Sequence, residues 1–183
     1  MAVAAALMAT LGACSDAYTG DSRFRDDTQV RDVDIVQTSY QAAERLLAGS
    51  RQVLDKDKPV LVASLVNTAN LQQSSNLGRI VSEQVSSRLT QLGYDTREMR
   101  LRDAFLIREG FGELVLSRTA KDISQRQNAQ AVIAGVYAVG KTNVYVTLRL
   151  VRAEDGMILA AYDYALPLGP NATALLGLDL GDY

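Results

Sequence analysis

The period of the apolar positions changes several times along the chain, and each change marks an element. Residues 2–13 carry no charge and run straight into Cys14. From Ser15 to Val33 the aspartates Asp16, Asp21, Asp26, Asp27 and Asp32 alternate with Arg23, Arg25 and Arg31, and no apolar period survives. That stretch predicts a flexible tether. Thr38 and Ser39 then offer caps for a helix running to about Leu54, with Tyr40, Ala43, Leu47 and Leu54 along one face. Thr38 and Gln41 stand at capping-box spacing. Asp55-Lys56-Asp57-Lys58-Pro59 breaks the helix, and residues 60–66 form a continuous apolar, β-branched run. Such a run is the mark of a strand covered on both faces. Beyond a polar loop, Leu77, Ile80, Val81, Val85, Leu89 and Leu92 recur at helical spacing, and Gly93 stands at the C-cap. The loop serines, Ser74 and Ser75, supply an N-cap for that helix. Residues 94–101 read as a second strand, which completes a βαβ unit with a right-handed crossover.

In the second half, residues 103–109 predict a short helical turn, punctuated by Gly110 and Gly112. Residues 117–130 predict a polar helix relieved only by Ala120, Ile123 and Ala129. Three strands follow, at 131–139, 143–152 and 157–166. In the middle one Val144, Val146, Leu148 and Leu150 face one way, while Tyr145, Thr147 and Arg149 face the other. This alternation belongs to a half-buried strand of an antiparallel meander. Gly140-Lys141-Thr142 and Asp155-Gly156 are its turns. The fold class is therefore α+β, in two layers: a mixed sheet that starts with a βαβ unit and ends in a three-stranded antiparallel meander, with helices packed on one face. From Pro167 onward the strand pattern is lost, yet Leu168, Leu175, Leu176, Leu178 and Leu180 persist. The simpler reading is a tail packed on its own domain. The sharper one is a segment that docks on a neighbouring subunit, because Gly169, Pro170, Gly177 and Gly181 oppose a stable local element.

Composition narrows the chemistry. Among 183 residues 48% are hydrophobic and 22% charged, enough for one domain with a sizeable core. The net charge of −2 leaves no basic surplus to grip a phosphate backbone, so nucleic acid is not an expected partner. Histidine is absent, which removes Ser-His-Asp and Cys-His nucleophile systems and every His-containing metal site. A single cysteine permits neither an internal disulfide nor a cysteine cluster for zinc. No metal or cofactor is expected. Gly135-Val136-Tyr137-Ala138-Val139-Gly140-Lys141-Thr142 matches the phosphate-loop pattern letter for letter. The pattern needs a loop of backbone amides opening a helix, whereas these residues are β-formers and the next six alternate as a strand. A hairpin turn is the expected structure, without nucleotide. Glu83, Glu98, Glu109, Glu113 and Asp163 lie in or beside elements, but their spacing converges no two of them. A carboxylate pair in a cleft is the one remaining route to hydrolysis; solvated surface charge is the commoner outcome. No Gly-x-Ser-x-Gly elbow occurs. The chain is not expected to be an enzyme.

Cys14 is explained by its neighbours. The apolar stretch before it is too short to cross a bilayer, which needs about 20 helical residues. It has the length of a signal-peptide core followed by small residues. Leu11-Gly12-Ala13-Cys14 resembles a bacterial lipobox. The resemblance implies cleavage before Cys14, lipid on its thiol and acylation of the new amino group. Met1-Ala2-Val3 departs from that pattern, lacking the Lys or Arg that opens such signals. Each buried methylene contributes about 0.8 kcal/mol, so several acyl chains on one residue anchor securely where one is marginal. By resemblance to sorted lipoproteins, in which aspartate after the cysteine marks inner-membrane retention, Ser15 implies the outer membrane. The bland alternative is an Ala-rich terminal helix with Cys14 in a core. The resulting plan is a signal peptide (1–13), a lipidated cysteine and tether (14–37), one folded domain (38–166) and a Leu/Gly-rich tail (167–183). The tether spans about 25–30 Å as a flexible coil.

Several segments in order resemble the FlgO family of flagellar outer-membrane lipoproteins. They are Ser74-Ser75-Asn76-Leu77-Gly78-Arg79-Ile80-Val81-Ser82-Glu83-Gln84, Arg88-Leu89, Gly93-Tyr94, Glu98-Met99-Arg100-Leu101-Arg102 and Gly112-Glu113-Leu114-Val115-Leu116-Ser117-Arg118, then Gly135-Val136-Tyr137 and Val144-Tyr145-Val146-Thr147-Leu148-Arg149-Leu150-Val151. The resemblance implies a non-catalytic structural or assembly role around the flagellum, with other flagellar or envelope proteins as partners. Self-association into a homo-oligomer is compatible with it. No catalytic residue carries over. A fold-level likeness to the CsgG secretion lipoprotein and the amino-terminal domain of TolB carries little functional weight, and leaves a generic envelope adaptor as the alternative.

Overall fold

The computed structural model describes residues 30–71, 73–99, 105–107, 114–116 and 118–178. Cys14, Glu109, Glu113 and the Gly110–Gly112 punctuation lie outside them.

Helix α1 (Ile35–Ala48) starts three residues ahead of the expected cap. Asp34 takes the N-cap instead, accepting from the Gln37 N–H at 3.0 Å, and Thr38 and Ser39 fall inside the helix. Aspartate is at least as good a cap as threonine, and the start at Asp34 also places Ile35 against the core. The helix ends early, at Gly49 rather than Leu54, because the Arg51 N–H is drawn to the Leu159 carbonyl at 3.1 Å. Leu54 is still buried, but from the loop.

The expected strand at 60–66 is split into β1 (Val60–Ala63) and β2 (Val66–Asn67). The break has a definite cause. At Leu65 the N–H is taken by Ser82 Oγ at 3.0 Å and the carbonyl by Ser74 Oγ at 2.7 Å, so neither remains for the sheet. Helix α2 (Asn76–Gln91), which carries Ser82, begins at Ser75, whose hydroxyl accepts from the Gly78 N–H. Gly93, with φ +88°, ends it as expected. Strand β3 (Thr96–Met99) runs parallel to β1, pairing Val60 with Thr96 through Ala63 with Met99, which completes the βαβ unit.

Strands β4 (Phe105–Ile107) and β5 (Leu114–Leu116) pair antiparallel as a separate ribbon. They replace the helical turn expected at 103–109. Phe105-Leu106-Ile107 is a bulky triplet that favours a pleated surface once Leu114-Val115-Leu116 is there to pair with it. Helix α3 (Arg118–Arg126) closes sooner than expected, at Asn128 in the left-handed region. Strands β6 (Ala131–Val139), β7 (Asn143–Arg152) and β8 (Ile158–Pro167) match the expected meander to within a residue. The sheet order is β3-β1-β6-β7-β8, with β2 continuing along β6. The first three strands are parallel and the meander antiparallel.

The main core lies between this sheet and helices α1 and α2. Leu46, Leu77, Val81, Val85 and Leu89 meet Val60, Val62, Ile133, Val146, Leu148 and Leu150 there. On the opposite face a smaller cluster, Leu61, Ala63, Met99, Val132, Ala134 and Val151, is packed by Ile123 of α3 and by Ala129. The α+β class with its main helical layer on one face is what forms.

The last described element follows the simpler reading of the tail, packed on its own domain, while Leu180 and Gly181 lie outside the described residues. Helix α4 (Pro170–Leu176) packs on α2, and three of the residues thought to oppose order define its ends. Gly169 is its N-cap, Pro170 its first residue and Gly177, with φ +67°, its left-handed terminus. Proline just inside the start and glycine just past the end are boundary signals rather than breakers. Gly169 has no capping side chain. Asp32 supplies one from the other end of the chain, its carboxylate accepting from Asn171 N–H at 2.8 Å and Ala172 N–H at 3.1 Å.

Where α1 crosses β8, the hydroxyls of Ser39 and Tyr164 are buried without well-formed hydrogen bonds. Burial pushes the Tyr164 phenol well above its usual range, and neighbouring Ser39 offsets this only in part. The folded state therefore keeps this phenol neutral where the unfolded chain ionises it, from pH of about 10 upward, and stability falls there as pH rises. Tyr164→Phe is expected to change stability by less than about 1 kcal/mol at neutral pH and to flatten the alkaline loss, measured by urea unfolding across pH.

Candidate functional site

The phosphate-loop lookalike is a β-hairpin. Gly135 lies in mid-strand opposite Leu148, and Gly140 N–H donates to Asn143 O at 2.8 Å to close the turn. Lys141 is exposed at its tip. No helix follows, so the amides that would hold phosphates are spent on the ladder. Gly135 serves packing: a Cβ there would stand 2.5 Å from Thr147 O.

The acidic residues behave differently from their sequence reading. The fold brings Glu83 of α2 and Glu98 of β3 together, which their spacing did not show. They line a cavity of about 250 Å³ with Val62, Ser64, Ser82, Ser86 and Met99. Three links place them. Ser82 clamps α2 to Leu65, β1 and β3 pair Val62 with Glu98, and Glu83 follows Ser82 directly. The only signal in the sequence is the βαβ unit itself, which sets α2 beside β3 without saying which turn meets which residue. Asp163 stands apart on β8, exposed.

The Glu83 carboxyl is held above its ordinary value, first by lost hydration beside the cavity, then by the charge of Glu98 and a hydrogen bond to it. Glu83 thus holds its proton more tightly than a free carboxyl does. The folded state keeps that proton to higher pH than the unfolded chain does, so this contribution to stability is present in acid and lost as pH rises through the raised value. Glu98→Gln removes the like charge. It is expected to raise the urea midpoint at neutral pH and to shrink the difference between mildly acidic and neutral midpoints. An unchanged pH profile would show that the two carboxyls titrate independently. Among the described residues no third Asp, Glu or Cys joins the pair as a metal-binding group.

A second surface feature lies where the amino-terminal arm enters the domain. A groove of about 550 Å³ is lined by Val33, Val36, Ile80 and Leu175, the first three of them exposed. No described helix is long and apolar enough to cross a membrane.

The fold defines the class first: a βαβ opening, an antiparallel meander and a helical layer on one face, as in the C-terminal domain of LpoB from Salmonella enterica. The two are 16% identical, with a TM-score of 0.50 over 73% of this chain and 98% of that one. LpoB from E. coli gives 14% identity and a TM-score of 0.49 over 91% of this chain and 82% of that one. PelC from Paraburkholderia phytofirmans, solved as a dodecamer, gives 16% and 0.45 over 68% and 84%. A sequence comparison with curated proteins gives no match. The family is narrower than the fold class. The FlgO protein family model matches residues 40–171, and the chain belongs to that family.

Proposed function

We propose that the protein is an outer-membrane lipoprotein, held by lipid on Cys14, whose domain binds other envelope proteins around the flagellum and catalyses no reaction. The observation that carries this reading is the FlgO family match across the folded domain. The Leu11-Gly12-Ala13-Cys14 segment supports the anchor, and Ser15 after it supports the outer membrane. Asp32 adds a mechanical element. It fastens the arm leading from the anchor to α4, so a pull on the tether reaches the domain at a fixed point.

Deleting the gene is expected to impair swimming or alter the flagellum, and affinity purification from solubilised outer membrane is expected to recover flagellar basal-body proteins. Full motility with unaltered flagella would favour a generic envelope adaptor of the same fold. Cys14→Ser is expected to abolish incorporation of labelled palmitate and to release the protein from the membrane fraction. Labelling that persists would refute the anchor. The Glu83–Glu98 cavity favours one competing reading, a carboxylate-based envelope hydrolase. A Glu83→Gln, Glu98→Gln double variant that restores motility to the deletion strain would dismiss it.

A further inference from the structure

Strand β8 ends the sheet, and among the described residues nothing pairs along its outer edge. Two hydrogen bonds fix which backbone groups point outward. The Leu168 N–H donates to Thr142 O, toward β7, whereas the Leu159 carbonyl at the bulge accepts from Arg51 on the other side. Alternation along the strand then turns the N–H and C=O groups of Ala161, Asp163 and Ala165 away from β7. No described residue bonds them. Their side chains are exposed on the sheet face opposite α1 and α2, beside Tyr145, Thr147 and Arg149 of β7. In register, Ala161 stands opposite Arg149, and Asp163 opposite Thr147. Neither Arg149 nor Asp163 has an ion-pair partner among the described residues.

We propose that this edge pairs with the same edge of a second copy, antiparallel and centred on Tyr162. Ala161 of each copy then faces Asp163 of the other. The outward amides and carbonyls of Ala161 and Asp163 bond in complementary pairs, as an isologous two-fold contact requires; Ala165 lies beyond them, opposite Leu159, whose outward carbonyl Arg51 already holds. The charges select this register. One strand over, across the small Ala161, Asp163 meets the other copy's Arg149, so both unpaired charges are matched twice. Centring on Asp163 instead would set two carboxylates face to face, an unfavourable cross-strand pair. The two Tyr162 side chains meet on the axis as a cross-strand aromatic pair. An open edge also invites indiscriminate pairing, and the carboxylate disfavours the register centred on it.

The inference does not depend on the anchor or on a flagellar role. The test is sedimentation equilibrium of the full chain carrying Cys14→Ser, which removes any acyl contribution. The expected mass is that of a dimer. Ala161→Pro deletes an outward N–H without touching the β7 ladder, a replacement edge strands tolerate. It is expected to weaken association by at least about tenfold with unchanged circular dichroism. Asp163→Arg and Arg149→Asp are each expected to weaken it similarly by bringing like charges together, and the double exchange to restore it. A parent protein that stays monomeric at roughly 100 μM, single variants that dimerise as the parent does, or a double exchange that fails to restore the dimer would each overturn the proposal.

Discussion

Gly135→Ala is expected to destabilise the protein by about 3 kcal/mol, the upper end of what forcing a methyl group into a filled core produces. Gly135 lies at the centre of β6, and the added Cβ would sit 2.5 Å from Thr147 O, 2.9 Å from Leu148 Cδ2 and 3.1 Å from Leu65 Cγ. The first obstacle is a backbone oxygen of the neighbouring strand and cannot rotate aside. Relief requires β6 and β7 to separate where Leu148 and Ile133, both fully buried, close the core. Gly78→Ala meets the same kind of obstacle, 2.5 Å from Leu65 O at the strand break. Urea unfolding should show a lowered midpoint with an unchanged slope for each variant. A loss below about 1 kcal/mol would mean that the strands yield more readily than a close-packed core permits.

Gly169→Ala is expected to undo the contact between the two ends of the domain. Its Cβ would lie 2.3 Å from Asp32 N and 2.4 Å from Asp32 Oδ1, so arm and helix cannot both keep their places. Either α4 frays or Asp32 swings off and leaves the amides of Asn171 and Ala172 uncapped, a loss of about 1–2 kcal/mol. Because the arm is released, tryptic cleavage after Arg31 should accelerate, and amide exchange at Asn171 and Ala172 should quicken. Asp32→Ala should give the same exchange effect with a smaller loss of stability, since it removes the cap without adding a clash. Protection at Arg31 equal to that of the parent would show that the Asp32 contact does not hold the arm.

The elements readable in the sequence were those whose signal is local. Alternation in residues 143–152 located β7 and, through its turns, the strands on either side. The helical period of Leu77, Val81, Val85 and Leu89 located α2. What escaped depended on distant partners. The apolar run at 60–66 has no local reason to break at Leu65, because the serine that takes its amide lies 17 residues away. The α4 boundaries looked like breakers because the cap they need comes from Asp32, 139 residues earlier. Glu83 and Glu98 converge only once α2 is seated against β1 and β3. Gly135-x-x-x-x-Gly140-Lys141-Thr142 shows the opposite hazard, a motif complete in letters whose first glycine is required by packing. The inference about Cys14 is a case apart, since it rests on sequence alone.

The most direct test of the account is the intact mass and amino-terminal analysis of the native protein from fractionated cells. A chain in the outer-membrane fraction that begins at an acylated Cys14 is the predicted result. A freely soluble chain that keeps residues 1–13 and carries no lipid would contradict it.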